Sequence, residues 1–207
     1  LAERGRLIAF EGVEGAGKST QLRLAAAALR HRGFTVVETR EPGGTALGAE
    51  LRRLLMEVVE THPSPLTELL LYLADRAQHL DEVILPAVER GAVVLTDRFS
   101  ASTIAYQGFA RRLDLDTVSR LDAIVRRGVA PAYTILLDCP VEVGLRRALG
   151  DDRFHREQQE FHERVRAAFR SFAEQDPDHY CVLDATAPTD QVHQQVMAAL
   201  LPCLHSR

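Results

Sequence analysis

The chain has 207 residues, enough for one domain with a substantial core and no covalent staples. Hydrophobic residues make up 46% and charged residues 26%, and a net charge of −4 supplies no global basic field for a nucleic-acid polymer. No apolar stretch nears the ~20 residues of a membrane span, and the N-terminal run from Arg4 and Arg6 is too short for a signal-peptide core. Cys139, Cys181 and Cys203 fit neither zinc nor disulfide spacing. They are expected to be small buried apolar residues in a reducing compartment, which makes the cytoplasm the expected location.

Short apolar runs alternate with longer helical patterns. Leu7–Phe10 reads as a buried strand, Lys18–Arg32 as a helix and Thr35–Glu38 as a second strand. Helical patterns follow at Leu47–Glu57 and Leu66–Glu89, then a strand at Ala92–Thr96 and a helix at Leu115–Arg127. Tyr133–Leu137 is a strand leading into a helix from Val141. A long helix covers Glu157–Glu174, a strand Tyr180–Leu183, and a last helix starts at Thr189. Continuous apolar strands separated by helices predict an α/β fold whose parallel sheet is covered on both faces. Ligands of such sheets collect at the carboxyl ends of strands. That rule selects the Gly12 loop, Arg40–Thr45, Asp97–Arg98 and Asp138.

The segment Gly12-Val13-Glu14-Gly15-Ala16-Gly17-Lys18-Ser19 matches G-x-x-x-x-G-K-[ST] between a predicted strand and a predicted helix, with Thr20 following. Its glycines let backbone N–H groups turn toward phosphate oxygens, and the helix adds its positive end. Lys18 neutralises terminal phosphate charge, and the Ser19 hydroxyl can ligate Mg²⁺. Asp97, at the end of an apolar strand, is either a turn former or the carboxylate associated with that metal, directly or through water. No guanine-specificity element of the N-K-x-D kind follows, which argues against a GTPase. Arg153 and Arg156 stand in a polar stretch with Asp151, Asp152 and Glu157. The stretch reads as a solvated turn or as arginines that fold over the phosphates.

In the Leu66–Glu89 pattern, Leu66, Leu69, Leu73, Ala77, Leu80 and Ile84 fall on one stripe. Tyr72, Arg76 and His79 lie about a quarter-turn away. Tyr72 and Arg76 are neighbours at four-residue spacing. An aromatic face beside a guanidinium suits a nucleobase, but on the spacing alone the pair reads first as a surface pair.

The segments FEGVEGAGKSTQ (10–21), TREPGGT (39–45), LYLADRAQ (71–78), DRFSASTIAYQG (97–108), LDCPVEVGLRRA (137–148), DRFHRE (152–157), EFHERVRAAF (160–169) and LDA (183–185) resemble thymidylate kinase, in that order. With Glu14 in the loop and arginines near 153, the chain is similar to the bacterial type. The resemblance implies a P-loop NTPase fold: one domain over 1–207, a central parallel five-stranded sheet flanked by helices, and a short lid at about 149–157. It implies Mg²⁺-dependent phosphoryl transfer from ATP to dTMP and a homodimer. The rivals are a kinase for another nucleotide or nucleoside, and a nucleotide switch without transfer. By the same resemblance, Arg98 bridges the phosphates of both substrates, and Arg40 approaches the acceptor phosphate with Glu41–Thr45 as part of that wall. Arg153 stabilises the transferring group, with Arg156 or Arg147 as further candidates. Tyr72 stacks on thymine, Arg76 bonds a ring carbonyl, Ser102 and Gln107 reach the base, Tyr106 packs against the sugar and Glu14 meets the 3′-OH. His155 stands where the family's lid commonly has Glu. Such a reaction needs positioning and charge neutralisation more than a strong base.

Overall fold

The computed structural model describes residues 5–56, 63–148 and 157–205. Five strands, β1 Arg6–Glu11, β2 Val36–Arg40, β3 Val93–Asp97, β4 Tyr133–Asp138 and β5 Tyr180–Asp184, form one parallel sheet in the order β2-β3-β1-β4-β5. Alternation along the central strands explains why the sheet is buried twice. Ile8 and Phe10 of β1 and Val93 and Leu95 of β3 enter one apolar cluster, while Leu7, Ala9 and Val94 enter another. The first cluster is closed by α1 (Lys18–His31), α8 (Gln159–Gln175) and α9 (Thr189–His205). The second is closed by Leu80, Ile84 and Ala87 from the helical run before β3.

That run departs from the single helix expected over Leu66–Glu89. Ser64 caps α3 (Pro65–His79) by accepting the Thr67 N–H at 3.3 Å. A π-helical turn at Leu80–Ile84 then leads into α4 (Leu85–Glu89). Pro86 supplies the cause: it has no N–H for the carbonyl four residues back, and a wider turn relieves the clash of its ring. Leu69, Leu73, Leu80 and Ile84 of the predicted stripe are buried, whereas Leu66 is exposed. A second departure is the helical segment Ser100–Ala110, not anticipated from the sequence, with α5 (Ser100–Thr103) running into a π-helical turn at Ile104–Ala110. Its alanines favour a helix, but Ser100, Ser102, Thr103, Ile104 and Gly108 offset them, so the segment carries little net helical signal. The remaining helices are α2 (Ala46–Met56), α6 (Leu115–Arg126) and α7 (Val141–Arg147).

Register brings the working ends of the strands abreast. Asp97 of β3 lies opposite Phe10 of β1 on one side and Arg40 of β2 on the other. The loops after β1, β2 and β3 therefore open into one crevice. Behind it, α7 touches the loop after β1 backbone to backbone. Gly15 has φ 67°, and a Cβ there would sit 1.9 Å from the Gly144 carbonyl oxygen; a Cβ on Gly144 would sit 2.3 Å from that of Glu14. Gly144→Ala should push the loop out of register and raise the KM for ATP, the expected donor, by about 10- to 100-fold. Far-UV circular dichroism should be unchanged, and a KM equal to the parent's would show that the contact does not set the loop.

Candidate active site

The crevice holds two cavities. The larger, about 760 Å³, is lined by Glu14–Gln21 of the phosphate loop and α1, by Asp97 and Arg98, by Arg147 of α7 and by Ala185–Thr189 after β5. Lys18 is buried, and its ammonium donates to the carbonyls of Gly12 (3.0 Å) and Val13 (2.8 Å). Burial and the nearby Arg98 charge push its pKa down, against Glu14, Asp97 and Glu11. The Ser19 hydroxyl meets Asp97 Oδ2 at 2.5 Å. A hydroxyl and a carboxylate in contact beside a phosphate cradle form an oxygen donor set that suits a hard cation such as Mg²⁺.

Arg98 is the hinge of the site. Its φ of 72° lies in the left-handed region that non-glycine residues seldom occupy. Its N–H is held by the Phe10 carbonyl at 2.9 Å. From there Nη1 donates to Gly12 O and Ser102 Oγ, both at 3.1 Å, and Nη2 donates to Glu14 Oε1 at 2.6 Å. The guanidinium lies 5.0 Å from the Tyr106 ring centroid, and the Tyr106 hydroxyl donates to Glu14 at 3.1 Å. Burial opposes the Glu14 charge, yet Arg98 and then Lys18 hold its pKa down at about 2. Beneath this pair, fully buried Glu11 accepts from Phe99 N–H (2.8 Å), Ser102 N–H (3.2 Å) and Ser102 Oγ (2.6 Å). Burial, outweighing Arg98 and these hydrogen bonds, pushes its pKa up.

The second, narrower cavity is lined by Pro42, Met56, Tyr72, Arg76, Phe99, Ser102, Thr103, Tyr106 and Gln107. It shares Glu14, Glu41, Arg52 and Arg98 with the first. Arg76 is no surface residue: it is 1% exposed. Nε donates to Glu41 at 2.8 Å, Nη1 to Thr103 Oγ1 and Asp122, and Nη2 pairs with Glu41 at 2.7 Å. His79, also buried, bridges Thr39 Oγ1 (2.6 Å) and Glu41 Oε1 (2.9 Å). Gln107 donates Nε2 to Glu68 at 2.9 Å.

Of the residues selected from the sequence, those from Glu14 to Thr20, together with Asp97 and Arg98, line the first cavity; Gly12 and Val13 supply the carbonyls that Lys18 grips. Tyr72, Arg76, Ser102, Tyr106 and Gln107 come together in the second. Exposed Arg40 lines the larger cavity beside the shared Glu41 and Arg98. Asp138 belongs to neither lining and pairs with Arg166 at 2.7 and 3.0 Å. Arg153, Arg156 and His155 lie outside the described residues. Sequence reasoning missed Arg52, which donates to the Pro42 carbonyl at 3.1 Å, and Thr103. It also missed the buried carboxylates Glu11, Glu68 and Asp122. A buried acid has no sequence signal until its basic partner is known.

The low Glu14 pKa fixes a sign. Its folded value lies below the unfolded one, so its contribution is present above about pH 4.5 and lost as pH falls toward 2. Denaturant titration at several pH values should show about 1–3 kcal/mol lost across that window in the parent. Glu14→Gln should remove that slope; an unchanged slope would assign the acid sensitivity elsewhere.

The thymidylate kinase family model matches residues 10–196. The thymidylate kinase of Geobacter sulfurreducens is 47% identical over 206 residues, covering 95% of this chain and 97% of that one. That of Pseudomonas fluorescens is 49% identical over 206 residues, covering 98% of each. The crystal structure of thymidylate kinase from Ehrlichia chaffeensis superposes with a TM-score of 0.79 at 31% identity, covering 95% of this chain and 98% of that one. The chain belongs to the thymidylate kinase family.

Proposed function

We propose that the larger cavity binds ATP, the narrower one binds dTMP, and the chain transfers the terminal phosphoryl group to give dTDP and ADP. The observation that carries this is the shared wall: two guanidiniums, Arg98 and Arg52, belong to both cavities, and Arg98 also grips the phosphate loop through the Gly12 carbonyl. Joining two polyanions requires positive charge between them, and the attacking oxygen already belongs to a phosphate. On this reading the loop 12–19 cradles the donor phosphates with Lys18, with Thr20 at the start of α1. Arg147 and the 185–189 loop flank the donor's far end. Arg98, Arg40 and Arg52 receive the acceptor phosphate. Tyr72 lies against the base, Arg76 and Gln107 meet its edge, and Tyr106 with Glu14 faces the sugar. Ser102 donates its hydroxyl proton to Glu11 and so offers the base only a lone pair, whereas Thr103 accepts from Arg76 and keeps its proton to give.

Ser19 and Asp97 would hold Mg²⁺, which when bound offsets charge on the donor phosphates. Arg153 is the proposed cation over the transferring group, within a lid at about 149–157 of a single domain. Free cysteines among the described residues accord with a cytoplasmic location. Leu47 and Leu54 of α2 and Leu66 and Leu70 of α3 are about half exposed on two helices in contact, and a second copy of the chain is the proposed cover.

Purified protein with ATP and Mg²⁺ should release ADP strongly with dTMP, less with dUMP, and little with UMP or thymidine. Bound ATP without any response to dTMP would overturn the assignment. Arg98→Ala should lower kcat by about 10³-fold with the fold intact by circular dichroism. Leu54→Glu should shift sedimentation from dimer to monomer; an unshifted dimer would place the interface elsewhere.

A further inference from the structure

Gln107 is a base-edge residue on the reading above, and the further inference rests on that reading. Either end of an amide can face a ligand, and the two ends make opposite demands on it. The structure contains a group that removes the choice. Glu68, one turn before Tyr72 on α3, is 1% exposed and accepts Gln107 Nε2 at 2.9 Å. Its two oxygens also take Nε and Nη2 of Arg111, each at 3.2 Å. Arg111 is in turn fixed by Glu157 at 2.6 Å and by the Phe161 ring, 4.7 Å from its centroid. A carboxylate paired with a guanidinium presents acceptors only. The nitrogen end of Gln107 must therefore face Glu68.

We propose that Glu68 is a specificity-determining positioning residue: by holding the nitrogen of Gln107, it turns the amide carbonyl and one remaining N–H toward the acceptor base. That edge complements a pyrimidine whose ring N–H stands beside a carbonyl, as in thymine and uracil. Cytosine places an acceptor and an amino group there, so its ring nitrogen would face the carbonyl of Gln107. Glu68 touches no substrate and acts through Gln107 and its anchor Arg111. Arg76, a donor aimed at a ring carbonyl, discriminates in the same direction and keeps part of the selection when Glu68 is changed.

The test is Glu68→Gln. A glutamine can donate or accept, so the amide of Gln107 is released to adopt either orientation. The kcat/KM ratio of dTMP to dCMP should fall by about 10- to 100-fold. The ratio of dTMP to dUMP should stay within about twofold, since both bases carry the ring N–H, and the KM for ATP should be unchanged. An unchanged dTMP-to-dCMP ratio, or an equal loss with all three acceptors, would overturn the proposal and leave Glu68 a packing residue. Glu68→Asp keeps an acceptor-only group and covers the case in which the glutamine variant does not fold. It should retain the parent's dTMP-to-dCMP ratio within about threefold at lower kcat; a collapsed ratio in a folded Glu68→Asp protein also overturns the proposal. A parent that ignores dTMP is a separate failure, that of the functional reading itself.

Discussion

The pairing of Arg98 with Glu14, at the partition between two cavities, is the interaction around which the site is arranged. A site for two polyanions needs concentrated positive charge, and such charge in a buried setting destabilises the fold unless carboxylates accompany it. Arg98 reaches Glu14, the phosphate-loop carbonyl of Gly12 and Ser102 at once because its backbone adopts a left-handed turn at the end of β3. The register of β3 with β1 and β2 fixes where that turn occurs. The sheet thus places the cation, and the carboxylate makes its placement tolerable.

The same arrangement recurs one layer back. Arg76 is held by Glu41 and Asp122, Arg111 by Glu68 and Glu157, and Glu41 is itself steadied by His79. Each guanidinium has several fixed acceptors, which orients its fork before a substrate arrives and reduces the ordering left to binding. Preorganisation of this kind is what a reaction driven by positioning requires.

Much of this was legible in the sequence, for identifiable reasons. The phosphate loop is a local motif whose spacing carries its own chemistry, and the five apolar runs specified a two-faced parallel sheet. Arg98, Tyr72 and Gln107 followed from extended segments that resemble a known family. The helical run Leu66–Glu89 was placed within a residue, but the π-helical turn at Leu80–Ile84 was missed, because a single proline can be absorbed by a wider turn and periodicity does not register that. The Ser100–Ala110 helix was missed because its burial comes from tertiary contacts with Phe161 and Phe169 and not from an amphipathic stripe. Arg76 also read as half of a surface pair, since the acceptors that explain its burial, Glu41 and Asp122, stand 35 and 46 positions away.

The wall common to the two cavities has a thermodynamic consequence. On the proposed assignment of the two cavities, a phosphate entering from either side would change the hydrogen bonds Arg98 has left to offer the other, so occupancy of one cavity would alter the free energy of filling its neighbour. Linkage then makes that influence mutual: whatever factor the donor imposes on acceptor affinity, the acceptor returns to the donor. A compound built for the narrower cavity alone would carry an apparent affinity that depends on how much nucleotide occupies the wider one.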